Sequence, residues 1–174
     1  MTIRKILVEP DKFLRQKSER VDIVDKNLKI LMDDMLETMY NAPGIGLAAI
    51  QVGVPKRVIV IDLSRDNEEK KPMFFVNPEI ISSSNKDATY EEGCLSVPGQ
   101  FAEIDRPDKC HLKYLDYNGK SVELKAEGLL ATCIQHEIDH LEGVLFIDYL
   151  SKLKKSMIIK KLSKQKKSLE RIVV

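Results

Sequence analysis

The chain has 174 residues, 43% hydrophobic and 32% charged, with a formal net charge of +1, which is the balance of a soluble globular protein long enough for one domain with a sizeable core. No apolar run approaches the roughly 20 residues of a membrane-spanning helix, and three cysteines without a close pair argue against a disulfide framework and for a reducing compartment. The near-neutral total is uneven: residues 151–174 carry nine Lys and Arg against one Glu, a net of +8, which leaves residues 1–150 with 19 against 26, a net of −7.

The first residues, Met1 to Pro10, are basic, but their apolar stretch is too short for a secretory signal, so the cytoplasm is the expected location. Asp25 is placed to cap a helix in which Leu28, Leu31, Met32, Met35, Leu36 and Met39 recur at helical spacing, and Pro43-Gly44 ends it. The segment from Gly44 to Gly53 is too small and apolar for a solvated loop. Val58 to Asp62 reads as a strand, Asp66 to Lys71 as a charged turn, and Met73 to Ile81 as a further strand broken or edged by Pro78. Ser82 to Asp87 reads as a polar loop, and Glu91 to Gly99 interrupts the strand rhythm. A hairpin follows, with Cys110 to Tyr117 and Ser121 to Leu124 joined at Asn118-Gly119. A helix is expected from about Glu127 to Leu141, closed by Gly143, then a short extended piece over Val144 to Ile147, then a basic terminal helix. With no internal repeat or linker, the expected fold is α+β, one catalytic domain over 1–174. Its antiparallel sheets pack around a central helix, and a C-terminal helix over about 152–170 is an extension.

That central helix carries Gln135-His136-Glu137-Ile138-Asp139-His140, an H-E-x-x-H pattern. Residues four apart on a helix share a face, with Cβ atoms roughly 5–6 Å apart, so the two imidazoles can bind one metal ion. Glu137 then stands beside the metal, where a general base for an activated water belongs. A plain exposed helix carrying two histidines is the bland alternative. Two histidines leave a catalytic site short of a protein ligand. His111 is a candidate, although its place in the hairpin suits an exposed strand residue, and Cys94, between Gly93 and Gly99, is the better one. Cys110 and Cys133 read as buried small hydrophobes, with Cys133 close enough in sequence to His136 to line the site wall. A thiolate with two imidazoles suits Zn2+ well and Fe2+ acceptably, and the residues alone favour zinc. Gly44-Ile45-Gly46 permits close backbone approach to a ligand, or is simply a tight buried turn, and the Gln51 amide can donate where negative charge develops on an attacked carbonyl.

Taken together, Gly44-Ile45-Gly46-Leu47-Ala48-Ala49-Ile50-Gln51, Glu92-Gly93-Cys94-Leu95-Ser96 and Gln135 to His140 resemble the three signature motifs of the peptide deformylases, in the family's order and over nearly the whole chain, from a strand at Met1 to the tail. The resemblance implies a hydrolase that removes the formyl group from the N-terminal formylmethionine of new polypeptides. It implies Cys94, His136 and His140 as metal ligands, with Fe2+ as the usual ion in place of the zinc preference, and Zn2+, Ni2+ or Co2+ able to substitute. It also implies Glu137 as acid and base, and the Gln51 amide with the Leu95 N–H as oxyanion donors. Ile45, Gly46 and Gly93 would contact the peptide backbone strand against strand, and Leu129, Thr132 and Cys133 would shape the methionine pocket. A monomer is the family's habit.

Two departures stand out. Ile50 replaces a proline common before the motif glutamine, and Thr132 stands where an aliphatic residue is common, which makes the pocket more polar or narrower. The tail, Ser151 to Val174, sets Leu153, Met157, Leu162 and Leu169 among lysines. Family resemblance implies docking on the ribosome near the peptide exit, with the positive charge meeting RNA phosphates; a solvated helix packed on the body is the alternative. Other readings of the H-E-x-x-H pattern are an endopeptidase, which would place its third ligand downstream, and a silent ribosome-associated module with a structural metal, which would need no Glu137.

Overall fold

The computed structural model describes residues 2–65 and 67–172. Met1, Asp66, Val173 and Val174, which fall within the expected first strand, charged turn and tail, lie outside the described residues. Ten elements organise the chain: α1 (Lys26–Asn41), β1 (Gly46–Ala48), β2 (Val58–Ile61), β3 (Met73–Ser83), β4 (Asp87–Cys94), β5 (Val97–Pro107), β6 (Lys109–Leu115), β7 (Ser121–Glu127), α2 (Gly128–Leu141) and α3 (Lys152–Ile172). Short 3-10 turns cover Lys12–Arg15, Ala49–Val52 and Phe146–Tyr149.

All strand pairs are antiparallel, in a five-stranded sheet ordered β1-β2-β3-β6-β7 and a two-stranded sheet β4-β5. The strand β2 reads Val-Ile-Val-Ile with every residue buried, because side chains alternate between two covered faces. Val58 and Val60 pack with Leu28, Leu31, Met32, Met35 and Met39 of α1. Ile59 and Ile61 pack with Ala131, Cys133, Ile134 and Leu141 of α2. The large sheet is thus sandwiched between the two helices, and α1 begins as expected, with the Asp25 carboxylate accepting from Leu28 N–H at 2.8 Å. The β4-β5 hairpin covers the other side of α2, where Val97, Ile104, Leu145, Phe146, Ile147 and Leu162 form a third cluster.

Several expectations are corrected. Residues 2–7 join neither sheet, although Leu7 N–H donates to the Gln51 carbonyl at 2.8 Å. Glu91 to Gly99 is the end of β4, a turn at Leu95-Ser96 and the start of β5. Both strands are too polar and too exposed to show a clean apolar alternation. Residues 146–149 form a 3-10 turn and not an extended piece, because the Asp148 carboxylate accepts from Leu145 N–H at 3.0 Å and bends the chain. On α3 the packed residues are Ile158, Ile159 and Leu162, while Leu153, Met157 and Leu169 of the expected stripe are exposed. Pro78 does not end its strand, but the β3-β6 register shifts around it, between Val76 and Glu79, beside Asn77 at φ 52°.

Gly143 ends α2 as expected, at φ 75°, and a Cβ there would overlap the Arg15 carbonyl. Gly143→Ala therefore combines the left-handed penalty of about 1 kcal/mol with a clash against rigid backbone. It is expected to lower stability by more than about 2 kcal/mol, measured as a fall in the urea unfolding midpoint.

Candidate metal centre and active site

Helical spacing lines up Leu129, Thr132, Cys133, His136, Glu137 and His140 on one stripe of α2. Strand alternation turns Tyr90, Glu92 and Cys94 of β4 toward that stripe. At the tip of the hairpin the β4-β5 register shifts between Glu92 and Cys94, with Gly99 at φ 71°, and this irregularity aims the end of β4 at the helix. Cys94, His136 and His140 each offer a ligand atom, all within 4.8 Å of one another. Cys94 Sγ lies 3.2 Å from His140 Nε2. His111 is elsewhere, on β6 against Glu123 at 3.0 Å, so among the histidines only the helical pair converges with a thiol. Cys110 is a buried core residue, whereas Cys133 is both buried and part of the site wall.

The surrounding hydrogen bonds fix these groups. His136 Nδ1 donates to Glu92 Oε2 at 2.8 Å, which leaves Nε2 free for the site. Arg106 of β5 holds the same carboxylate by two bonds, Nε to Oε1 at 2.6 Å and Nη2 to Oε2 at 3.0 Å, and reaches Asp139 of α2 with Nη1 at 2.8 Å. Tyr149 donates to Asp139 at 2.7 Å and lies under the Arg106 guanidinium, 4.9 Å from carbon to ring centre. Glu92 and Arg106 are each about 95% buried, and each holds the other charged. Burial would raise the Glu92 carboxyl, but the bonds from His136 and Arg106 outweigh it and keep it below its ordinary range. Sequence reading gave no role to Glu92, Arg106, Asp139 or Tyr149. The only trace of the network was a charged residue without a stated role inside each of two recognised motifs, Glu92 and Asp139.

Gln51 enters from the 3-10 turn after β1. Its Oε1 accepts from Ala48 N–H at 2.8 Å, which orients Nε2 to donate to Ser96 Oγ at 3.0 Å and toward Cys94 Sγ at 3.5 Å. The glycine before it has a steric reason: a Cβ on Gly46 would overlap Glu137 Oε1 and lie 3.0 Å from Cys133 Sγ. Gly44 similarly leaves room for the Leu95 side chain, whose Cδ1 is 2.7 Å from where a Cβ would stand, and Gly93 for the Phe101 ring at 2.6 Å. The three motif segments meet around one cavity of about 450 Å³, lined by Ile45, Gly46, Gln51, Gly93, Cys94, Leu95, Leu129, Thr132, Cys133, His136 and Glu137. His140 lies behind His136, 1% exposed.

These residues fit a divalent cation. Glu137, Glu92, Asp139 and the Cys94 sulfur stand close together with Arg106 as their one guanidinium partner, so the buried charge is short of positive compensation. Burial alone would lower His136, yet the bonds from Cys94 and Glu92 and the charges of Cys94 and Glu137 raise it well above its ordinary value. Burial and the charge on His136 keep His140 neutral. The donors thus hold a proton where a cation would sit. Burial pushes the Glu137 carboxyl up to about 7, with His136 opposing and Glu92 adding to the rise; a nearby dication acts in the lowering direction. Glu137 Oε2 and His140 Nδ1 have no protein hydrogen-bond partner.

Two imidazoles, a thiol and an adjacent buried carboxylate on this scaffold define a metal-dependent hydrolase of the H-E-x-x-H kind. The model of the polypeptide deformylase family matches residues 3–156, and the chain belongs to that family, metalloenzymes that remove the formyl group from the N-terminal formylmethionine of newly made polypeptides. It is 67% identical to the peptide deformylase of Pelagibacter ubique (strain HTCC1062) over the whole of both chains. It is 62% identical to that of Phenylobacterium zucineum (strain HLK1), over 97% of this chain and 99% of the relative. The crystal structure of the peptide deformylase from Ehrlichia chaffeensis superposes with a TM-score of 0.91 at 43% identity, covering 96% of this chain and 98% of that one. A structure of the Ehrlichia enzyme in complex with actinonin gives 0.90 at 46% identity, covering 95% and 98%.

Glu92→Ala would free His136 to rotate and leave Arg106 without its bidentate partner. The variant is expected to bind its metal about 10- to 100-fold more weakly, read from the dissociation constant in a chelator competition titration.

Proposed function

We propose that Cys94, His136 and His140 hold the metal ion, Fe2+ in the cell with Zn2+, Ni2+ or Co2+ able to replace it, and that Glu137 carries the proton in hydrolysis of the formyl group. The observation that carries this reading is the contact of Glu137 with the Gly46 backbone, beside the three converging donors. The ion would supply Lewis acidity, easing ionisation of the attacking water and polarising the formyl carbonyl. Glu137 takes the proton from that water and returns it to the leaving amine, releasing formate and a free methionine N-terminus. Gln51 Nε2 and the Leu95 N–H donate to the oxygen that becomes negative. One carboxylate serves both halves of the task, since the proton it accepts from the water is the one it returns to the amine.

The peptide itself is held as an added strand. β1 is the terminal strand of its sheet, and Ile45, Gly46 and Gly93 line the cavity between that strand and the hairpin. The Ile45 carbonyl is already taken by Asp62 N–H at 2.9 Å, so its N–H is the group left for a guest backbone. Leu129, Thr132 and Cys133 shape the methionine pocket. The chain acts as a monomeric cytoplasmic enzyme with one catalytic domain; no helix among the described residues is long and apolar enough to cross a membrane. Its basic α3 docks on the ribosome, with exposed Leu153 and Met157 among the lysines offering an unpartnered face.

The decisive test is formate release from an N-formyl-Met peptide by anaerobically purified, Fe2+-reconstituted protein, beside an unformylated peptide with internal bonds. Formate from the first and no cleavage of the second is expected; internal cleavage without formate would move the reading to an endopeptidase. Glu137→Ala is expected to keep its metal and lose at least about 100-fold in formate release. Gly46→Ala, whose methyl displaces the Glu137 carboxylate, is expected to lower kcat with metal content unchanged. Exposure to air should inactivate the Fe2+ form through its thiolate ligand.

A further inference from the structure

Within the motif from Glu92 to Ser96, Ser96 is the residue that the proposed reaction leaves without a task. It is fully buried and stands behind the cavity wall. Its hydroxyl oxygen accepts from Gln51 Nε2 at 3.0 Å, and both residues are fixed from behind by the N-terminal segment. Leu7 N–H donates to the Gln51 carbonyl at 2.8 Å, and Glu9 N–H donates to the Ser96 carbonyl at 2.9 Å. The side-chain amide of Gln51 has one oxygen and two N–H groups to place. Ala48 N–H, at 2.8 Å, holds the oxygen and so decides which end of the amide is nitrogen, because a donor does not face a donor. That single bond still lets the amide rock. Ser96 Oγ removes this freedom by taking up one N–H, and the other is left on the cavity side, toward Cys94 Sγ at 3.5 Å.

We propose that Ser96 is a positioning residue for the hydrolysis and acts through Gln51: its hydroxyl holds one amide N–H so that the other is already aimed where the oxyanion forms. This rests on the reading of Gln51 as an oxyanion donor in formyl hydrolysis. Such a donor is effective because it is preorganised, and one that must turn into place as charge develops loses part of its effect. The gain falls on the transition state and not on the bound substrate, so it belongs in kcat and not in KM. A serine that served packing alone would matter equally whether or not Gln51 carried its amide.

The test is a double-mutant cycle on formate release from N-formyl-Met-Ala-Ser. It measures kcat, KM and bound metal for the Fe2+-reconstituted full chain, Ser96→Ala, Gln51→Ala and the double variant. Ser96→Ala is expected to lower kcat about fivefold with KM and metal content unchanged, and Gln51→Ala to lower it about 100-fold or more. Added to Gln51→Ala, the serine change is expected to cost less than about twofold, because the amide it positions is gone. An unchanged kcat in Ser96→Ala, the same loss in both backgrounds, or a loss that follows metal content would overturn the proposal. Full activity in Gln51→Ala, or no formate from the wild type, would instead remove the reading beneath it and the proposal with it, and the same assay tells these failures apart.

Discussion

The buried pair of Glu92 and Arg106 is the interaction on which the rest of the site depends. It lies inside the β4-β5 hairpin, yet both partners reach out of it, Glu92 to His136 and Arg106 to Asp139. The hairpin brings Cys94 and the helix brings the histidines, and this charged bridge fixes how one sits against the other. Two charges taken out of water cost several kcal/mol each, and their attraction offsets this only when geometry and further hydrogen bonds are good. Here the carboxylate accepts three bonds and the guanidinium makes three, so the cost is met locally. Removing one partner would strand the other, at about 3–5 kcal/mol, and would loosen His136, a candidate ligand, at the same time.

Around that bridge, close approach is bought by absence of side chains. Gly46 lets the carboxylate of Glu137 lie on the backbone of β1, Gly44 admits Leu95, and Gly93 admits Phe101. The first two contacts join segments far apart in sequence, the third joins the two strands of one hairpin, and each would be lost to a single methyl group. The site is therefore assembled from three rigid surfaces, a helix stripe, a strand edge and a hairpin tip, and the third cluster behind Val97 and Phe146 presses the hairpin onto the helix.

Much of this was legible in the residues. Helix α1 announced itself through Asp25 and the apolar spacing of Leu28 to Met39, and the candidate metal site through His136, Glu137 and His140. Cys94 was separable from the other cysteines because only it lay in a glycine-flanked turn. What stayed hidden depends on contacts between distant segments. Arg106 is one charged residue in a strand of mixed polarity, and nothing local distinguishes it from an exposed neighbour such as Glu103. β4 and β5 escaped notice for the same reason, since their burial comes from α2 and the 146–149 turn and not from a regular apolar face. The latter turn follows from the side chain of Asp148 capturing Leu145 N–H, a choice that apolar content alone could not reveal.

The brevity of β1, three residues from Gly46 to Ala48, has a consequence for turnover. A guest chain laid along so short an edge, as proposed for the substrate, would gain only a few main-chain hydrogen bonds, each worth about 0.5–1.5 kcal/mol net, and main-chain bonds are blind to side-chain identity. Affinity is thereby capped while the range of acceptable sequences stays wide. A catalyst that must visit every newly made chain once is served by that combination, because a longer edge would hold the trimmed product and slow its departure. The same shortness guards the molecule itself, since an edge of three residues offers too little for another copy to stack against.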